Sequence, residues 1–212
     1  MYFFDLDGTL LDSNGVWLDI DISFLGRHGI SPVPEDYTDY VTHHTFHDAA
    51  EYTRTRFALP MTGAEIVADW REMAREAYGG KLPLKPGARD FLVRANGAGT
   101  RCALLTSCIP ELCQSALEAH RLSSLLERVL TTAELGLEKR DPALYLRAAE
   151  LCGAMPEECI LFDDSPVYCA AAKAAGWQVR GVADPVFAQR AAELAELCGP
   201  SGYPFDFFGP LP

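Results

Sequence analysis

Three short apolar runs in this chain each end abruptly in a polar cluster, and that pattern constrains the fold more than any other feature. Tyr2-Phe3-Phe4 runs into Asp5, Cys102-Ala103-Leu104-Leu105 into Thr106, and Cys159-Ile160-Leu161-Phe162 into Asp163. A short apolar run without polar alternation suits a strand buried on both faces, as in a parallel sheet covered by helices. Helical stretches over residues 111–120 and 142–151 separate the last two runs. The C-terminal half thus alternates strand and helix, and the expected fold class is α/β, a Rossmann-like doubly wound parallel sheet. Ligands of such sheets bind outside the carboxyl ends of the strands. All three polar clusters fall there.

Residues 14–80 break the alternation. Segments 17–28, 40–57 and 64–78 read as helices, with no strand between them. Gly79-Gly80, Pro83 and Pro86-Gly87 then punctuate the return to the core, which resumes with a helix over residues 87–98. The expected organisation is an α/β catalytic core of residues 1–14 and 81–212 and a small all-helical cap domain of residues 15–80. A chain of 212 residues can bury both cores without disulfides. The tail, residues 199–212, is expected to be extended, with Tyr203, Phe205, Phe207 and Phe208 packed onto the domain or into a dimer contact.

Charge and cysteine usage narrow the function class. The net charge of −12 and the lack of a basic stripe argue against a nucleic-acid partner. No apolar run approaches the roughly 20 residues that span a bilayer, and the first residues carry acids and no base, unlike a secretory signal. A cytoplasmic protein with no membrane partner, monomer or homodimer, is expected. The seven cysteines are scattered and form no Cys-x-x-Cys pair or Cys/His metal pattern, so they read as reduced, mostly buried thiols.

The polar clusters supply the parts of phosphoryl transfer: a nucleophile, a proton donor for the leaving oxygen and positive charge around the transferring group. Asp5, at a strand end, can attack phosphorus; Asp7, two residues on, can protonate the departing alkoxide and later activate water. Gly8 permits the turn after them, and the Thr106 and Ser107 hydroxyls can hold phosphate oxygens. Lys139 is a candidate to neutralise nucleophile and phosphate. Asp163 and Asp164 add the hard oxygens that Mg²⁺ prefers.

These residues carry a resemblance to the haloacid dehalogenase superfamily. Asp5-Leu6-Asp7-Gly8-Thr9-Leu10, Leu104-Leu105-Thr106-Ser107, Lys139-Arg140-Asp141-Pro142 and Phe162-Asp163-Asp164-Ser165 resemble its four motifs, in order and over nearly the whole chain. The chain looks like the phosphatase branch with a helical cap of the C1 type, similar to phosphoglycolate phosphatase and β-phosphoglucomutase-like proteins. The resemblance implies a Mg²⁺-dependent phosphomonoester hydrolase acting on a small phosphorylated metabolite through an aspartyl-phosphate. It makes Asp5 nucleophile and metal ligand, and Asp7 acid/base with its backbone carbonyl on the metal. Thr106 and Lys139 become phosphate binders, Asp164 the direct metal ligand and Asp163 its outer-sphere neighbour.

Departures from the family pattern sort the alternatives. Dehalogenases lack the second acid, so Asp7 argues for phosphate over halide chemistry. Phosphonatases need a cap lysine, and none precedes Lys81. Phosphosugar mutases carry a cap histidine about ten residues after the acid/base aspartate, where this chain has Trp17. A mutase and a non-catalytic phospholigand-binding protein remain the alternatives, and Arg140 stands where the family usually has proline. Within the cap, His43, His44, His47, Arg54 and Arg56 cluster in one segment. His43, His47 and Arg54 are candidate substrate contacts, and His43 with His47 has the i, i+4 spacing of a helical metal pair. Trp17 and Trp70 read as packing residues.

Overall fold

The computed structural model describes residues 1–43 and 46–212, with the side chains of Asp39, Thr42 and His43 outside the described set. The chain divides into two compact units, Met1–Asn14 with Leu82–Pro212, and Gly15–Lys81. Lys81 falls with the helical unit.

Among the described residues the first unit is built on a five-stranded, all-parallel sheet of order β3-β2-β1-β4-β5. Its strands are β1 (Tyr2–Phe4), β2 (Cys102–Thr106), β3 (Arg128–Thr131), β4 (Ile160–Asp163) and β5 (Gln178–Gly181). Every residue of β1, β2 and β4 is buried, as their unbroken apolar runs require. Side chains alternate across the sheet, so Phe3 faces one layer and Tyr2 and Phe4 the other. On the first side Phe3 lies 4.4 Å from Trp177, in a core with Leu105, Leu161, Leu144, Tyr145, Cys169 and Leu194. Leu144, Tyr145, Cys169 and Leu194 come from α8 (Pro142–Leu151), α9 (Pro166–Ala174) and α10 (Ala191–Cys198). On the second, Phe4 stacks on Phe162 at 4.5 Å, and Phe91 of the helix Ala88–Gly97 closes over both.

The aromatic tail completes that second layer. Phe205 meets Phe162 at 4.8 Å, Phe207 meets Phe91 at 5.6 Å, and the Arg94 guanidinium donates to the Phe207 and Gly209 carbonyls. The tail is built of turns, and Phe205 N–H and Gly202 C=O bond to Gly181. Phe207 is buried and Phe208 exposed.

The second unit holds helices Val16–Arg27, Glu35–His43, Phe46–Arg56 and Gly63–Glu76. Over residues 40–57 the expected helix is present in the described residues on both sides of 44 and 45, and its first part begins earlier, at Glu35. The last begins at a capping box: Thr62 accepts from the Glu65 N–H while Glu65 reaches back to the Thr62 N–H. Trp70 is buried between Phe24 and Phe46, and Trp17 lies edge-on to Phe46. Asp21 is buried here, accepting from the Tyr37 hydroxyl at 3.2 Å, which in turn contacts Thr53 Oγ1 at 3.1 Å.

Candidate active site

The site is assembled from the carboxyl ends of β1, β2 and β4, held side by side by the register that pairs Phe4 with Leu104 and Phe162. Asp5 follows Phe4 directly, its N–H donating to the Phe162 carbonyl at 2.9 Å, and the residue is buried. The chain then turns at Gly8, whose φ of 75° lies in the left-handed region. A Cβ there would stand 2.1 Å from Asn14 Nδ2 and 2.2 Å from Asp164 Oδ2. Glycine is needed for backbone and for space alike.

Lys139 lies at the centre of the charge. It precedes the N-cap Asp141 of α8, and its backbone carbonyl accepts from the Tyr145 hydroxyl at 2.8 Å. Its buried ammonium reaches Asp5 Oδ1 at 2.9 Å and Asp163 Oδ2 at 2.6 Å, and lies 4.6 Å from the centre of the Tyr168 ring. Burial alone would discharge it, but Asp163 and Asp5 outweigh that and hold its pKa well above the ordinary lysine range.

Asp163 and Asp164 divide their work. Asp163 is saturated, Oδ1 accepting from the Ser165 N–H at 2.8 Å and Oδ2 from Lys139. Asp164 accepts from Asn14 Nδ2 at 2.7 Å on Oδ2. Burial raises the pKa of both, and neighbouring carboxylates add to it, Asp5 for Asp163, and Asp163 and Asp5 for Asp164. Oxygens of Asp5, Asp163 and Asp164 lie within 4.8 Å of one another. Three crowded carboxylates against one ammonium form a donor set that fits a hard divalent cation such as Mg²⁺.

Asp7 is half-buried, and the Ser13 hydroxyl donates to its Oδ1 at 2.6 Å. The Cys108 thiol also touches it; burial first, then Asp7, pushes that thiol up, so it stays protonated. Thr106 ends β2 and accepts from the Cys108 N–H at 3.0 Å through Oγ1, which leaves its own proton to donate elsewhere. Ser107 lines a cavity of about 230 Å³ with Thr132, Glu138, Lys139, Arg140 and Tyr168.

The structure therefore brings together Asp5, Lys139, Asp163 and Asp164. In the helical unit, His47 is exposed on its helix and Arg54 is paired with Glu51 at 2.9 Å. The side chain of His43, and all of His44, lie outside the described residues. Sequence reasoning missed Ser13, Asn14, Cys108 and Tyr168. The first two stand in the polar stretch Asp12-Ser13-Asn14, whose hydroxyl and amide so close to the first motif were the available signal.

Comparison with known proteins gives the same family. A model of haloacid dehalogenase-like hydrolases matches residues 1–176. Hexitol phosphatase A of Escherichia coli K12 is 30% identical over 200 residues, covering 91% of this chain and 87% of that protein. Among solved structures, a haloacid dehalogenase family hydrolase from Deinococcus radiodurans R1 with bound phosphate and sodium superposes with a TM-score of 0.71. It shares 25% identity over 92% of this chain and 86% of its own. CbbY from Rhodobacter sphaeroides in complex with phosphate shares the fold, with a TM-score of 0.64 and 22% identity over 86% of each chain. The four motifs, the sheet order and a family match over most of the length agree: the chain belongs to the haloacid dehalogenase-like hydrolases.

Proposed function

We propose that this enzyme, a haloacid dehalogenase-like phosphatase, hydrolyses small phosphomonoesters through an aspartyl-phosphate on Asp5, with Mg²⁺ as cofactor. The observation that carries the reading is the ion-paired Asp5: a buried carboxylate at a strand end, 2.9 Å from Lys139, inside a cluster of three aspartates. A carboxylate placed only to stabilise the fold gains nothing from two more beside it.

Asp5 Oδ attacks phosphorus in line with the ester oxygen, forming the acyl-phosphate bond as the P–O ester bond breaks. Asp7, protonated at this stage, gives its proton to the departing alkoxide. As a carboxylate it then takes a proton from the water that attacks the aspartyl-phosphate, which regenerates both residues and releases inorganic phosphate. The Ser13 hydroxyl holds Asp7 Oδ1 in one orientation. Lys139 pairs with Asp5 at 2.9 Å and offers positive charge to the transferring phosphate, and Thr106 donates to an equatorial phosphate oxygen. Asp5, Asp164 and the Asp7 carbonyl would hold the cation, with Asp163 oriented toward Lys139 as an outer neighbour; bound there, Mg²⁺ screens the repulsion between anionic nucleophile and anionic substrate.

The helical unit is assigned the role of a substrate-selecting cap, with His43, His47 and Arg54 as its candidate contacts. Sugar and polyol phosphates head the expected substrates, since the hexitol phosphatase relative aligns along nearly the whole chain. The test is release of free phosphate from a panel of phosphorylated metabolites with Mg²⁺ or excess chelator. Asp5→Asn should lower turnover roughly a thousand-fold or more. Mg²⁺-dependent release that survives in that variant would remove the nucleophile assignment.

A further inference from the structure

Lys85 is a nearly buried cation with no part in the steps above. Its ammonium lies 2.7 Å from Asp184 Oδ2 and 3.3 Å from Asp12 Oδ1; 11% of the Lys85 side chain is exposed, 1% of Asp184 and 56% of Asp12. Burial works against the charge, but Asp184 first and Asp12 after it outweigh burial and hold the Lys85 pKa above the ordinary lysine range.

The two acids differ in what they are attached to. Asp184 is an anchor: its Oδ1 accepts from the Val186 N–H at 3.0 Å, and Val182, two residues before it, donates its N–H to the Asp163 carbonyl at 3.0 Å. Asp12 belongs to the loop that follows Asp7. Backbone bonds lay that loop against the segment of Lys85, from the Lys85 N–H to the Leu10 carbonyl and from the Asp12 N–H to the Pro83 carbonyl, both at 2.9 Å. The next two residues reach the site, Ser13 donating to Asp7 Oδ1 at 2.6 Å and Asn14 to Asp164 Oδ2 at 2.7 Å.

We propose that Lys85 is a positioning residue: anchored on Asp184, it holds Asp12 and thereby fixes Ser13 on Asp7 and Asn14 on Asp164. The proposal rests on the reading of Asp7 as acid/base and Asp164 as metal ligand. Lys85 acts through the loop and not on the phosphate, so its loss falls on metal affinity and kcat. KM, which Thr106 and Lys139 set in that reading, is spared.

The single change Lys85→Met leaves Asp184 buried without its cation and should lower the urea midpoint. The deciding protein is Lys85→Met with Asp184→Asn, in which that buried charge is removed and the asparagine oxygen can still accept from Val186. Its urea midpoint should return toward the parent's, while Mg²⁺ binding, read by titration calorimetry, stays about ten-fold weaker. Its kcat at saturating Mg²⁺ should stay about ten-fold lower with KM unchanged. Asp12→Ala cuts the same tie at an exposed position and should show both losses at the parent's stability. Adding Asn14→Ala to the double variant should weaken Mg²⁺ binding little further, because both changes act on Asp164 through one amide. Parental Mg²⁺ affinity and kcat in the double variant and in Asp12→Ala would overturn the proposal and leave Lys85 a structural ion pair, and a fully additive loss with Asn14→Ala would overturn it as well. A parent that binds no Mg²⁺ would overturn it together with the reading beneath it, whereas an active parent matched by these variants overturns it alone.

Discussion

Asn14 is a small amide on which an acid depends. Its Nδ2 donates to Asp164 Oδ2 at 2.7 Å. Groups that orient a metal ligand typically cost ten- to a hundred-fold in metal affinity when removed. Asn14→Ala is expected to weaken Mg²⁺ binding, read by titration calorimetry, roughly ten-fold; unchanged affinity would show that Asp164 orients itself. Lys139 carries a larger share. Replaced by methionine, it leaves Asp5 and Asp163 buried without their cation, and the loss of one partner from a buried ion pair costs about 3–5 kcal/mol. Urea unfolding in the presence of chelator should report that loss, and a smaller loss at pH 5, below the value of about 6 to which burial first raises Asp163, would identify its origin as charge. Asp5, Asp7 and Lys139 were legible in the sequence because chemistry dictates their residue types. Asn14 and Ser13 were not, since an amide or hydroxyl in a loop looks the same whether it faces a ligand or water.

At the level of elements, the helices of residues 15–81 contain their own pH-sensitive group. Burial pushes Asp21 up to about 6, and the hydrogen bond from Tyr37 only partly offsets it. The folded carboxyl thus holds its proton more tightly than the unfolded one at 3.8. Below about pH 4 both states are protonated and nothing is lost; as pH rises toward 6 the folded state forfeits stability, and above 6 the deficit is constant. With allowance for solvent screening it amounts to about 1–2 kcal/mol. Asp21→Asn should therefore be more stable than the parent at pH 7.5, by about that amount, and equal to it near pH 3.5, as measured by denaturant titration. A parallel shift at both pH values would place the effect in packing.

The elements that sequence reasoning found and lost divide along the same physical line. The central strands β1, β2 and β4 are covered on both faces and show it as unbroken apolar runs. The edge strands hide: β3, Arg128–Thr131, exposes Arg128 and Val129, and β5, Gln178–Gly181, alternates polar with apolar. Helix α9 carries four alanines in its nine residues, small enough to pack against the sheet without a strong apolar stripe.

For the whole molecule, the tail is structural. Phe207 is buried against Phe91 and Phe205, and Tyr2 donates its hydroxyl to the Pro212 carbonyl at 2.7 Å. Phe207→Ala should destabilise the α/β unit by about 3 kcal/mol, seen as a lower denaturation midpoint, while Phe208→Ala at the exposed neighbour should change it little. Equal effects would mean the tail is held by its backbone.

The strand that carries Asp5 is also the middle of the sheet. Its two neighbours, β2 and β4, begin at Cys102 and Ile160. On the ribosome, therefore, Tyr2-Phe3-Phe4 is made long before either of the strands it pairs with. Some hundred residues must emerge before its first partner exists and more than fifty further before its second. Over that interval an aromatic triplet with unpaired backbone waits in the open, the kind of segment that attracts chaperones and aggregates without them. The topology that sets the nucleophile between two strand ends also exposes the newborn chain to its longest wait at that same place.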